Sequence, residues 1–137
     1  MNIDVMTHLM NNIKTKISVS TIHGVGVFAI KDIKKGEEVF PTWDGPTKIY
    51  GIHKSMLHLL PISVKEIIDA YFISNEKDYI LIRLFNGINF ISHSLSYCNS
   101  AHPNKEMVNI DNDGIAIRDI KAGEEILEWY TQNLNLV

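Results

Sequence analysis

In the stretch "NFISHSLSYCN", residues 89–99, apolar Phe90 and Ile91 are followed directly by Ser92, His93 and Ser94, and then closely by Tyr97, Cys98 and Asn99. Polar side chains packed behind a buried-strand pattern need partners, because burying them unpaired is costly. Two familiar chemistries can be tested on spacing. His93, Cys98 and His102 run H-x4-C-x3-H. Structural zinc usually takes four ligands in tighter pairs, and no fourth ligand is evident, so we assign no metal. Ser92 beside His93 does not make a nucleophile and its base, since neighbours on a strand point to opposite faces. No G-x-S-x-G elbow occurs either. The polar cluster therefore serves internal bonding or a ligand, and spacing alone leaves both open.

Three further groups carry potential chemistry. Gly24-Val25-Gly26 lacks the third glycine and the following helix of a dinucleotide fingerprint. It reads either as a plain turn between strands or as a backbone that a ligand approaches closely. Glu37-Glu38 and Glu124-Glu125 are paired carboxylates; both sit in copies of a repeat, so they read as acceptors for turn amides or as solvated charge. Glu128-Trp129-Tyr130 places two aromatics after the second copy, as core or as a tail anchor.

The elements that must position these residues are short. "AIKDIKKGEEVF" (29–40) returns as "AIRDIKAGEEIL" (116–127), with eight of twelve positions identical and an offset of 87 residues. Each copy is expected to be a strand end, a tight turn at Gly36 or Gly123, and a second strand, both copies lying in one β framework. Residues 13–19 alternate like a half-buried strand, and "HGVGVFAI" bends into a second. Residues 42–51 read as loop. Residues 63–72 read as a helix, with Ser63 and Glu66 as a capping box and Val64, Ile67, Ile68, Tyr71 and Phe72 at helical spacing. "YILIRL", Asn86-Gly87 and "INFI" suggest one hairpin; "MVNI", Asp113-Gly114 and "IAIR" suggest another. Residues 1–12 form a loose helix or a frayed end, an N-terminal extension to a single mostly-β domain over 13–137.

Composition sets bounds. At 137 residues the chain suits one domain with a real core. Lys plus Arg number 13 against 16 Asp plus Glu, a net charge of −3 that does not steer the chain to nucleic acid. One cysteine permits no internal disulfide, which suits a reducing compartment. No signal-type run or membrane-length apolar stretch occurs, so an intracellular, soluble protein is expected, cytoplasmic or nuclear.

Together these pieces resemble the SET-domain family of protein-lysine methyltransferases, which use S-adenosylmethionine. "HGVGVFAIKDIKKGEEVF" looks like the family's opening segment, "NFISHSLSYCN" like its R-F-I-N-H-S-x-x-x-N signature, and "IAIRDIKAGEEILEWY" like its closing G-E-E-L-x-x-x-Y. The resemblance runs from about residue 17 to 131 and is sharpest at its two ends, with residues 46–78 as a central insert. It implies a SET-like fold of short strands, one or two short helices and a pseudoknot near the C-terminus, tied by His93 and Ser94. It further implies that main-chain groups at Ser92 and His93 bind the cofactor's adenine. Gly24, Val25 and Gly26 would hold its methionine end, and Tyr130 would be the catalytic tyrosine. Trp43 and Tyr79 fall where aromatics line the lysine channel or the cofactor pocket.

The partner implied is a protein bearing a target lysine, histone-like among the options, with no direct nucleic-acid or membrane contact; a homodimer is also conceivable. The chain departs from the family pattern in informative places. Ser92 stands for the asparagine before the histidine, losing an amide's donors. Asn99 matches the second asparagine after one extra residue. Glu128 and Trp129 replace the usual tyrosine and acidic residue before Tyr130, and no cysteine-rich flank is present. Ser92 and Glu128 keep a second expectation open: a non-catalytic SET-like module that binds a peptide or partner.

Overall fold

A computed structural model describes residues 4–72, 77–89 and 98–129. Ser92, His93 and Tyr130, and with them the expected pseudoknot, lie outside the described residues. The fold is mostly β, made of short strands with two short α-helices. The chain divides into two compact units, one holding described residues 4–14, 40–72 and 77–89, the other 15–39 and 98–129.

In the first unit, the N-terminal segment forms helix α1 (Val5–Asn11). Asp4 caps it: the Thr7 amide and hydroxyl each donate to its carboxylate at 2.9 Å, holding that carboxyl below its ordinary range. Leu9 and His8 are buried. The His8 ring meets Trp43 edge-on at 5.2 Å, and its Nδ1 lies 3.1 Å from Asn12 Nδ2. Burial keeps this histidine's pKa below the ordinary value, against the pull of Asp44.

Strands β3 (Lys48–His53) and β4 (Tyr79–Leu84) pair antiparallel over six residues. This corrects the loop expected over 42–51 at residues 48–51, while 42–47 remain loop apart from one isolated bridge at Trp43. The turn residues end at Pro46, and Gly51, which suggested a break, is strand backbone lying opposite Leu81. Helix α2 (Ile62–Tyr71) buries Val64, Ile67 and Ile68 as the spacing predicts. Its expected capping box does not form. Pro61 is the cap residue and makes no side-chain cap bond, which puts Ser63 inside the first turn. After β4, Asn86-Gly87 makes a turn with Gly87 at φ +80°, closed by Ile88 N–H donating to the Phe85 carbonyl at 3.2 Å. Asn86 bridges to Trp43, so Ile88 and Asn89 do not extend a hairpin on β4.

In the second unit, a four-stranded sheet runs in the order β1 (Thr15–Val19), β2 (Val25–Ala29), β6 (Glu125–Glu128), β5 (Asn99–Ser100). Neighbours are antiparallel except β5 and β6. The Asp113-Gly114 hairpin is present as a single bridge, Ile110 to Ala116.

The repeat organises this unit. Its copies clasp each other about a local pseudo-dyad, and nearly every bond on one side has a twin 87 positions away. Ile33 and Ile120 exchange both amide–carbonyl bonds, at 2.8 and 2.7 Å, and both are buried. Gly36 N–H donates to the Ala116 carbonyl and Gly123 N–H to Ala29, each at 2.8 Å. Asp119 accepts from Lys35 N–H as Asp32 does from Ala122 N–H, each at 2.9 Å. Gly36 and Gly123 share φ near +90°, where only glycine sits without strain.

Candidate functional site

Within the second unit the glycine bend between β1 and β2 is built from Ser20 outward. Ser20 N–H donates to the Gly24 carbonyl at 2.9 Å, closing the loop. Its Oγ accepts from Ile22 N–H (3.0 Å) and His23 N–H (3.4 Å), the local turn that serine hydroxyls favour. Gly24 adopts φ +49°, and among the described residues nothing stands within 4 Å of where its Cβ would be. Val25 is half exposed. Gly26 is different: a Cβ there would collide with Glu125 Oε2 and sit 3.0 Å from the Asn99 amide nitrogen. The close approach anticipated for this glycine is therefore made, at least on that side, by the chain's own carboxylate.

Asn99, the end of the polar signature, lies on β5 and is buried. Its Nδ2 donates to the His23 and Val25 carbonyls, each at 3.1 Å, and to Glu125 Oε2 at 2.9 Å. Ser20 Oγ donates to Glu125 at 2.8 and 2.9 Å. Asn109, fully buried, acts like an extra strand edge along β6. It donates through Nδ2 to the Glu125 carbonyl and accepts at Oδ1 from Leu127 N–H, both at 2.8 Å. The opening motif, the last residue of the signature and the closing motif thus converge on one hydrogen-bonded cluster.

Glu124 and Glu37 do what their place in the repeat suggests, accepting from the turn amides of Lys121 and Lys34 at 3.2 and 3.3 Å. Glu125 does not. Its expected role as a turn or solvent acceptor is replaced by the bonds to Ser20 and Asn99, because β6 turns this side chain onto the Gly26 face. It also walls a cavity of about 360 Å³ with Ile22, Phe28, Met107, Arg118 and Leu127. Ser20 carries no motif of its own, and only the bend explains it.

The remaining candidates are scattered. In the first unit, Trp43 is buried at 3% exposure, donates its indole N–H to the Pro46 carbonyl at 3.1 Å, and packs edge-on against Tyr50. Gly45 is glycine because a Cβ would run into that indole ring. Tyr79 begins β4, 45% exposed, with its ring edge-on to His53 at 5.1 Å. In the second unit, Cys98 is buried; burial, with Glu128 and Glu125 nearby, pushes its thiol far above the ordinary range, so it is no reactive thiolate. His102 stacks tilted on Trp129 at 5.3 Å, and the Lys105 ammonium lies 5.8 Å over the same ring. Among the described residues no group of three or more His, Cys, Asp or Glu side chains is placed to hold a metal ion, and no helix is long and apolar enough to cross a membrane.

No protein-family model matches the chain, and no curated protein matches it. Solved structures do. One is a Plasmodium falciparum protein provisionally named a histone methyltransferase, at 20% identity over 88% of this chain and 95% of that one, with a TM-score of 0.39. Another is the methyltransferase domain of human PR domain-containing protein 2, at 19% identity over 94% and 87%, with a TM-score of 0.43.

Proposed function

We propose that this chain is a protein-lysine N-methyltransferase that takes its methyl group from S-adenosylmethionine and acts on a protein substrate. One observation carries the reading: Asn99, the last residue of the middle segment, fastens the glycine bend to β6, so described residues of all three segments that resemble the SET signature meet at one cluster, and Tyr130 follows Glu128 by two positions in the sequence. The bend fits such a cofactor. Among the described residues nothing covers Gly24, while the His23 and Val25 carbonyls are already held by Asn99.

The cofactor, when bound, supplies an activated methyl group on a sulfonium. The chain's task is then alignment and exclusion of water. Methyl transfer to a neutral amine disperses charge, so no strong general base is required, and holding the reactants in line can contribute up to ~7–11 kcal/mol in ideal cases. Ser92 and His93 would hold the adenine through their main chain, and Gly24, Val25 and Gly26 the methionine end. The resemblance alone assigns Trp43 and Tyr79 to the lysine channel or the cofactor pocket. Tyr130 would orient the target amine and stabilise the polarised methyl group as a hydrogen-bonding and electrostatic residue.

A second reading, a SET-like module that binds a partner without turnover, is favoured by Glu128. This residue stands two positions before Tyr130, and burial raises its carboxyl above the ordinary range.

Calorimetry with S-adenosylmethionine, followed by labelled methyl transfer to a mixed protein extract, separates these. Binding with labelled lysine supports the enzyme, and binding without transfer supports the module. Absence of heat at millimolar cofactor ends the methyltransferase reading. Tyr130→Phe is expected to lower transfer about tenfold or more with cofactor affinity unchanged.

A further inference from the structure

Among the described residues, the side-chain bonds that shape the glycine bend lead to one carboxylate. Ser20 Oγ accepts from the Ile22 and His23 amides and donates its own O–H to Glu125. Asn99 Nδ2 gathers the His23 and Val25 carbonyls and donates to the same group. Gly26 completes the enclosure, since any side chain there would displace Glu125 from both donors. Two donors converging on an ionised carboxylate make stronger bonds than neutral pairs do.

We propose that Glu125 is a positioning residue that clamps the bend at Gly24–Gly26 in its ligand-accepting shape, and that Gly26 is glycine in order to admit it. That the ligand is the methionine end of S-adenosylmethionine rests on the methyltransferase reading; the clamp itself does not. The twin of Glu125 in the other copy, Glu38, stands exposed opposite Ile115 and serves as an internal control.

Glu125→Gln keeps the shape but removes the charge, so the Ser20 and Asn99 bonds, both of which reach Oε2, lose their charge assistance. In this variant amide hydrogen exchange at residues 22–26 should quicken about tenfold, the worth of one charged hydrogen bond. Exchange at Ile33 and Ile120 should stay unchanged. Cofactor Kd should weaken by a similar factor, with turnover at saturating cofactor preserved. Glu38→Gln should alter none of these.

Gly26→Ala should loosen the bend as Glu125→Gln does, and adding Glu125→Asp, which shortens the intruding side chain, should recover part of the protection. Bend exchange unchanged in Glu125→Gln, or a Gly26→Ala/Glu125→Asp chain as loose as the sum of its parts, overturns the clamp. If the unmutated protein binds no S-adenosylmethionine, the methyltransferase reading falls, while the exchange measurements still decide the clamp.

Discussion

The two copies of the repeat share a backbone and differ in employment. Residues 29–39 and 116–126 make the same turn with the same glycine conformation, the same aspartate on the opposite turn and the same first glutamate on its own. They part at the second glutamate. Glu38 is exposed and bridges Ile115, whereas Glu125 meets Gly26, Ser20 and Asn99. The identical dipeptide does structural work in one copy and holds a candidate site in the other. What decides is not the repeat but what the rest of the chain brings beside it, and only the second copy has β2 and β5 flanking its closing strand.

The sharpest way to break this comparison is at the pseudo-dyad. Ile33 and Ile120 are both about fully buried and bond to each other through the main chain. Truncating either to alanine should cost about 2–5 kcal/mol by urea denaturation, with the two values close. Because the sites touch, the double variant should cost less than the sum. Clearly unequal single costs would show that the copies are not energetically equivalent despite their shared geometry.

A smaller and more local effect is expected at the aspartates. Asp32→Ala and Asp119→Ala each remove one acceptor from the opposite turn's amide, at an exposed site where water can substitute. Each should cost about 0.5–1.5 kcal/mol, and neither should change hydrogen exchange at residues 22–26. A loosened bend in Asp119→Ala alone would mean that the second copy's turn, not Glu125, governs the candidate site.

Much of this arrangement was legible in the sequence. The repeat announced paired turns at Gly36 and Gly123, and the spacing of Val64, Ile67 and Ile68 announced the buried face of α2. The start of α2 was misread because Pro61, with its fixed φ, begins the helix one residue ahead of Ser63. Strand β3 was hidden by Gly51 and by polar residues at both ends, Lys48 and His53, whose strand state depends on pairing with β4 rather than on local preference. Glu125 was hidden for a different reason. Its identity with Glu38 suggested a shared duty, and its true partners, Ser20 and Asn99, are 105 and 26 residues away in the chain. Long-range polar contacts of that kind leave no periodicity to read.

The smallest effect sharpens the comparison just beyond the repeat, where copy one meets Pro41 and copy two continues β6 through Glu128. Glu128 is half buried, and desolvation raises its carboxyl above the ordinary value of 4.5. The folded state then holds a proton more tightly than the unfolded chain does. Over the interval from 4.5 up to the raised value the native protein binds more protons, so stability declines as pH rises through that interval and stays lower above it. Glu128→Gln removes the charge that burial disfavours. Its melting temperature should exceed that of the unmutated protein at pH 7, and the difference should vanish near pH 4, where Glu128 is protonated in both states. A difference of the opposite sign at pH 7 would mean that the Glu128 carboxylate is held by a favourable partner, and that copy two, unlike copy one, ends on a charge the fold actively uses.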